Sequence, residues 1–205
     1  MLSLEDLLGQ QKGAETANQI SQMLGANPTE TNSAIQLALP IIVSGLAKNA
    51  AEPQGAENLA NTLQKNHDGG ILSNLGDYLN NSSSDNSSSD SNDGIGILGH
   101  IFGQKQGAVA QQISKNSGLD MGQIAQLLIV LAPIVMAYLG RQKQQQNLDA
   151  DGLSNILGQK QEQIQSSNNS ILEKIMDYVD SNQDGNSMDD IASLAANYLS
   201  RNKNS

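Results

Sequence analysis

The sequence contains no cysteine and no tryptophan, one phenylalanine and four tyrosines. Without thiols there is no disulfide scaffold, no thiolate metal site and no cysteine nucleophile. Two histidines are too few for a multi-His transition-metal centre. Aromatic residues make up 2% of the chain, which leaves no stacking platform for single-stranded nucleic acid. Basic residues are also scarce, at 11 Lys and Arg against 21 Asp and Glu, for a formal net charge of −10. A chain of that sign repels phosphates, so no nucleic-acid partner is expected. The longest apolar run, residues 127–139, has 13 residues and includes Pro133, whereas a bilayer span needs about 20. The opening stretch MLSLEDLLGQQK lacks the basic and apolar regions of a signal peptide. A soluble cytoplasmic protein without membrane association is expected; the alternative is a membrane-associated or envelope-related protein using the apolar helix 124–139.

What remains is aliphatic and polar. Only 38% of residues are hydrophobic, so any core must be built from Leu, Ile, Val, Ala and Met. Apolar residues recur at spacings of three and four, and β-branched alternation is absent, which predicts an all-α protein. Helices are predicted over 3–10, 14–25, 55–66, 71–79, 105–116, 153–165, 169–179 and 188–200. Two further, more apolar helices start after Asn27 and Asp120. Each start has an acceptor followed three residues later by Glu30 or Gln123, the pattern of a capping box. Pro28 suits a first helical position, where its missing N–H costs little. Pro40 and Pro133 fall deep inside these helices and predict either a kink or a helix end.

Residues 80–94 comprise seven Ser, four Asn, three Asp and one Gly. With nothing to bury, the segment reads as a flexible Ser/Asn/Asp linker. The sequences on either side of it are alike. At a constant offset of 93, residues 17–48 and 110–141 share eight identities in 32 positions. Among them are Gly25 with Gly118 and Pro40 with Pro133. The expected organisation is two duplicated multi-helix units, 1–79 and 95–166, joined by linker 80–94 and followed by a C-terminal helix-loop-helix over 167–205.

Several short motifs occur in order: Leu8-Gly9-Gln10-Gln11-Lys12-Gly13, Ala38-Leu39-Pro40, His67-Asp68-Gly69-Gly70-Ile71-Leu72, Leu131-Ala132-Pro133 and LDADGLSNILGQKQEQI from 148 to 164. Together they resemble the bacterial family catalogued as domain-of-unknown-function 937, with the YidB-like proteins as distant kin. The resemblance runs over nearly the whole chain. It implies an all-α bacterial protein with an internal repeat, and it implies no reaction, substrate or partner.

The most chemically specific segment is DSNQDGNSMDD, residues 180–190. Asp180, Asn182 and Asp184 alternate ahead of Gly185, as at the opening of an EF-hand loop. Calcium takes six to eight hard oxygen ligands, and such a loop turns alternate side chains inward. Asn186 would add its backbone carbonyl. The twelfth position is Ile191 rather than Glu, so Asp190 is the closing ligand of a shortened loop. Five acids and no base lie between 177 and 190, and a cation would relieve their repulsion. The competing reading is an acidic turn at a helix start.

Other patterns carry less. Asp149-Ala150-Asp151-Gly152 reads as a helix start capped by Asp151 or Ser154. His67-Asp68 is a dipeptide with no nucleophile placed beside it, and a triad is recognised by geometry. His100 reads as a packed or partly exposed histidine. Gly94-Ile95-Gly96-Ile97-Leu98-Gly99 has the dinucleotide-binding form but lacks the preceding strand. The functional expectation is a non-enzymatic scaffold or interaction module, acting by self-association or on a protein partner, with calcium as its cofactor.

Overall fold

The computed structural model describes residues 3–67, 69–82 and 89–166, and all the regular structure there is helical. In chain order the α-helices are α1 (Leu4–Leu8), α2 (Gln10–Met23), α3 (Pro28–Ala50), α4 (Pro53–Asn66), α5 (Leu75–Ser82), α6 (Ser89–Phe102), α7 (Gln106–Ser117), α8 (Met121–Gln146) and α9 (Ala150–Gln165). Single turns of 3-10 helix precede α5 and α7.

Local chemistry accounts for most of the boundaries. Ser3 and Asp6 form a reciprocal capping box at α1. Gly9, at φ 86°, separates α1 from α2 within the stretch 3–10 that was expected to be one helix. Asp120 accepts from the Gln123 N–H at 2.9 Å, and the Gln123 side chain accepts from the Asp120 N–H at 3.1 Å. The predicted capping box is thus complete at α8. At α3, Asn27 instead accepts from the Thr29 N–H at 2.8 Å. The Glu30 side chain lies against Gly118, a left-handed residue at φ 92° that closes α7. The cap of α9 is Asp149, which accepts from the Gly152 N–H at 2.8 Å, in place of Asp151 or Ser154. Asp120→Ala is expected to cost about 1 kcal/mol, as losses of N-caps do. In a domain of this size that lowers Tm by about 2–4 °C in a thermal melt.

Both interior prolines are carried through without ending their helices. Pro40 lies inside α3 and Pro133 inside α8. A proline has no N–H for the carbonyl four residues back, and its ring crowds that carbonyl. In α8 the carbonyl so released is that of Ile129. Gly94 of α6 packs directly on it, so closely that a Cβ on Gly94 would collide with the Ile129 oxygen. A backbone Cα–H turned toward a carbonyl is a weak hydrogen bond that recurs where helices meet. The remaining surface of α6 that faces the core is apolar, with Ile97, Leu98 and Phe102 all buried.

Helical structure enters the expected linker 80–94 from both sides. Residues 80–82 complete α5 and residues 89–94 begin α6. Only 83–88 remain of the expected linker, and they lie outside the described residues. Burial of its C-terminal part against α8 holds α6 in place, an energy that composition does not display.

The chain on either side of 83–88 packs into one body. A single aliphatic core runs from Leu4 to Ile164. Helix α3 packs against α7, α8 and α9, and α4 packs against α8 and α9. Hydrogen bonds cross between the halves as well. The Gln123 side-chain amide donates to the Leu24 carbonyl at 3.2 Å, and that of Asn49 donates to the His100 carbonyl at 2.9 Å. Helix α8 starts 93 residues after α3, at 121 against 28.

By length and composition α3 and α8 are both able to cross a membrane, but 72% and 67% of their apolar windows are buried inside this body. Ile20, Leu39, Ile42, Leu131 and Ile134 are among the fully buried side chains.

Candidate functional site

The sequence motifs occupy positions with clear structural roles. His67 caps the end of α4 and is only 4% exposed. The turn after it contains Gly69, at φ 99°, whose missing side chain leaves room for the backbone of Ala137 and the Cβ of Arg141 on α8. The His-Asp-Gly-Gly stretch therefore seats a tight turn on the central helix, with Asp68 itself outside the described residues. His100 is exposed near the end of α6. The Gly94–Gly99 pattern lies inside α6 and not at a strand-to-helix turn.

The calcium-type residues Asp180, Asn182, Asp184, Asn186 and Asp190 lie outside the described residues. Among the described residues, no group of three or more His, Asp or Glu side chains is placed to hold a metal ion.

The described body has two notable recesses. One, of about 180 Å³, is polar and lies between α2 and the start of α5, where Lys12, Glu15 and Gln19 face Ser73 and Gly76. The other, of about 210 Å³, lies where α1, α3, α8 and α9 meet. Its floor is apolar: Leu7, Val43, Val135, Leu139 and Leu157 line it, and each is buried. Its rim is amphipathic, with Tyr138, Gln142 and Gln146 from α8 and Ile156 and Lys160 from α9.

The rim follows from helix geometry. Tyr138, Gln142 and Gln146 are spaced by four, so they form one stripe along the last turns of α8. Val135 and Leu139 form a parallel stripe one step round, toward the core. Ile156 and Lys160 repeat the same spacing on α9. Lys160 lies in the half-buried range, its aliphatic stem covering apolar surface while its ammonium reaches solvent. In sequence the Gln-rich stretches 141–147 and 159–165 read as solvated helix faces, so they do not display this recess. The usable signal was the four-residue spacing of Tyr138, Gln142 and Gln146, which continues an apolar face instead of opposing it.

An apolar floor with an amphipathic rim suits a hydrophobic side chain. Its small volume sets it apart from cofactor sites, which usually need about 300–1,000 Å³.

No curated protein and no solved structure matches the chain. The profile of one family does, over residues 6–142. The matched region runs from α1 to the last turns of α8, and so includes the capping box of α8, both interior prolines and the His67 turn. It stops short of the segment 148–164, which the motif resemblance had included. With two thirds of its length matched, the chain belongs to the family described as bacterial protein of unknown function (DUF937).

Proposed function

We propose that the chain is a non-enzymatic helical scaffold that acts by contact, with a C-terminal helix-loop-helix stabilised by calcium. The observation that carries this reading is the use made of α3 and α8. Both long apolar helices are consumed in a single core to which both halves contribute, which makes the body a platform. Their burial within that core also favours a soluble body over membrane insertion. The common offset of 93 between the helix starts supports descent from a duplicated helical unit, and the contact proposed is with a second copy or a protein partner.

The calcium part of the proposal rests on the spacing of Asp180, Asn182 and Asp184 before Gly185, with Asn186 and Asp190 completing the set. Calcium binding to the folded chain alone raises its stability by mass action. Calorimetric titration is expected to show saturable heat, and thermal melts a higher Tm in calcium than in chelator. Asp180→Ala combined with Asp184→Ala should abolish both. Absence of heat and of any Tm shift at millimolar calcium would reduce the loop to an acidic turn. Flotation with liposomes checks the platform reading: the protein should stay in the soluble fraction with or without calcium.

A further inference from the structure

The recess bounded by α1, α3, α8 and α9 is open and has an apolar floor. At about 210 Å³ it is close in size to the roughly 150 Å³ apolar cavity that takes up one benzene. That is room for one aliphatic knob. A free partner held by a single knob would gain little, because specific interfaces bury about 1,200–2,000 Å². A segment tethered beside the recess is different, since a short tether gives an effective concentration in the millimolar range.

The chain carries such a segment. Leu157, Lys160 and Ile164 share one face of α9, and Ile164 is buried, so the helix stays on the body to its last turn. From Lys160 on the rim to Ser166 the helix rises about 9 Å, at 1.5 Å per residue. Residues 167–170 can span at most about 14 Å. After them comes ILEKIMDYV, residues 171–179, with Ile171, Ile175 and Val179 spaced by four.

We propose that this recess is the seat of residues 171–179 of the same chain, with Ile175 entering between Gln142 and Lys160. The inference deepens the scaffold reading, on which it rests, by fixing the C-terminal segment to the platform. It requires no calcium.

The absence of cysteine makes the test clean. Gln142→Cys with Ile175→Cys introduces the only two thiols, and a disulfide forms only where Cα atoms come within about 7 Å. Mild oxidation is expected to give an intramolecular bond, seen as a faster-migrating monomer on a non-reducing gel. A control pair, Gln142→Cys with Glu173→Cys, should react at least about tenfold slower, because two helical residues are 200° apart. A disulfide-linked dimer as the main product would overturn the proposal in favour of a second copy. Equal rates for the two pairs would overturn it outright. Lys160→Cys with Ile175→Cys repeats the measurement from the α9 side, should the first pair disturb folding. Running each reaction in calcium and in chelator separates the two ideas: a bond formed in both keeps the docking even where calorimetry shows no ion site.

Discussion

Cleaving the chain between Ser82 and Ser89 is expected to leave its two fragments associated. With a protease site placed in residues 83–88, the nicked protein should elute from a sizing column at the position of the intact chain. It should separate only in denaturant. The reason is that α3 is covered by α7, α8 and α9, all from beyond the cut. Leaving a large aliphatic side chain uncovered costs about 1.5–3 kcal/mol. Uncovering five, such as Ile35, Leu39, Ile41, Ile42 and Leu46 of α3, would cost about 7–15 kcal/mol, on the scale of a domain's whole stability. Residues 1–82 expressed alone should therefore show no cooperative thermal transition by circular dichroism. Two fragments that separate freely and melt cooperatively on their own would mean that the common core contributes little.

Two substitutions two residues apart on α6 are expected to have opposite signs. A methyl on Gly94 would meet the Ile129 carbonyl, which is backbone and cannot swing aside. Overpacking of this kind costs about 1–3 kcal/mol, and against backbone the upper part of that range applies. Alanine also gains about 1 kcal/mol over glycine inside a helix, so the net loss for Gly94→Ala is about 2 kcal/mol. Gly96 is exposed, with nothing within 4 Å of where its Cβ would stand. Gly96→Ala should therefore keep the whole propensity gain of up to about 1 kcal/mol. In thermal melts these values correspond to a fall of about 4–8 °C and a rise of about 2–4 °C. If both variants were stabilised equally, α6 would not be pressed against α8.

The same pair of glycines shows what could be read from the residues alone. The periodic, capped and apolar helices were legible because the local signals agree with the tertiary outcome. α8 begins with Asp120 and Gln123 in a complete capping box, and α4, α7 and α9 lie within a few residues of their predicted spans. α6 was hidden because its first six residues are Ser, Asp, Asn and Gly, each a poor helix former. It is held by Gly94 on Ile129 and by Ile97, Leu98 and Phe102 in the core, contacts with a helix some thirty residues away. The spacing of Ile97, Leu98, Ile101 and Phe102 was the available clue. The apolar recess was illegible for a related reason: four helices make it, and no local stretch displays it. The acidic loop was the opposite case, a strong local pattern whose chemistry only ion titration will read.

The packing of α9 on α3 also sets an order of events during synthesis. Helix α3 ends at Ala50 and α9 begins at Ala150, a hundred residues later. At about 5–20 residues per second, α3 leaves the ribosome roughly 5–20 seconds before its cover exists. Until α6, α7 and α8 follow in turn, one of the most apolar stretches of the chain has only α1, α2 and α4 to shelter it. Slowing translation between 51 and 150 would lengthen the exposure, so the nascent chain, rather than the finished protein, is the form in which this fold is most prone to aggregate and most dependent on chaperones.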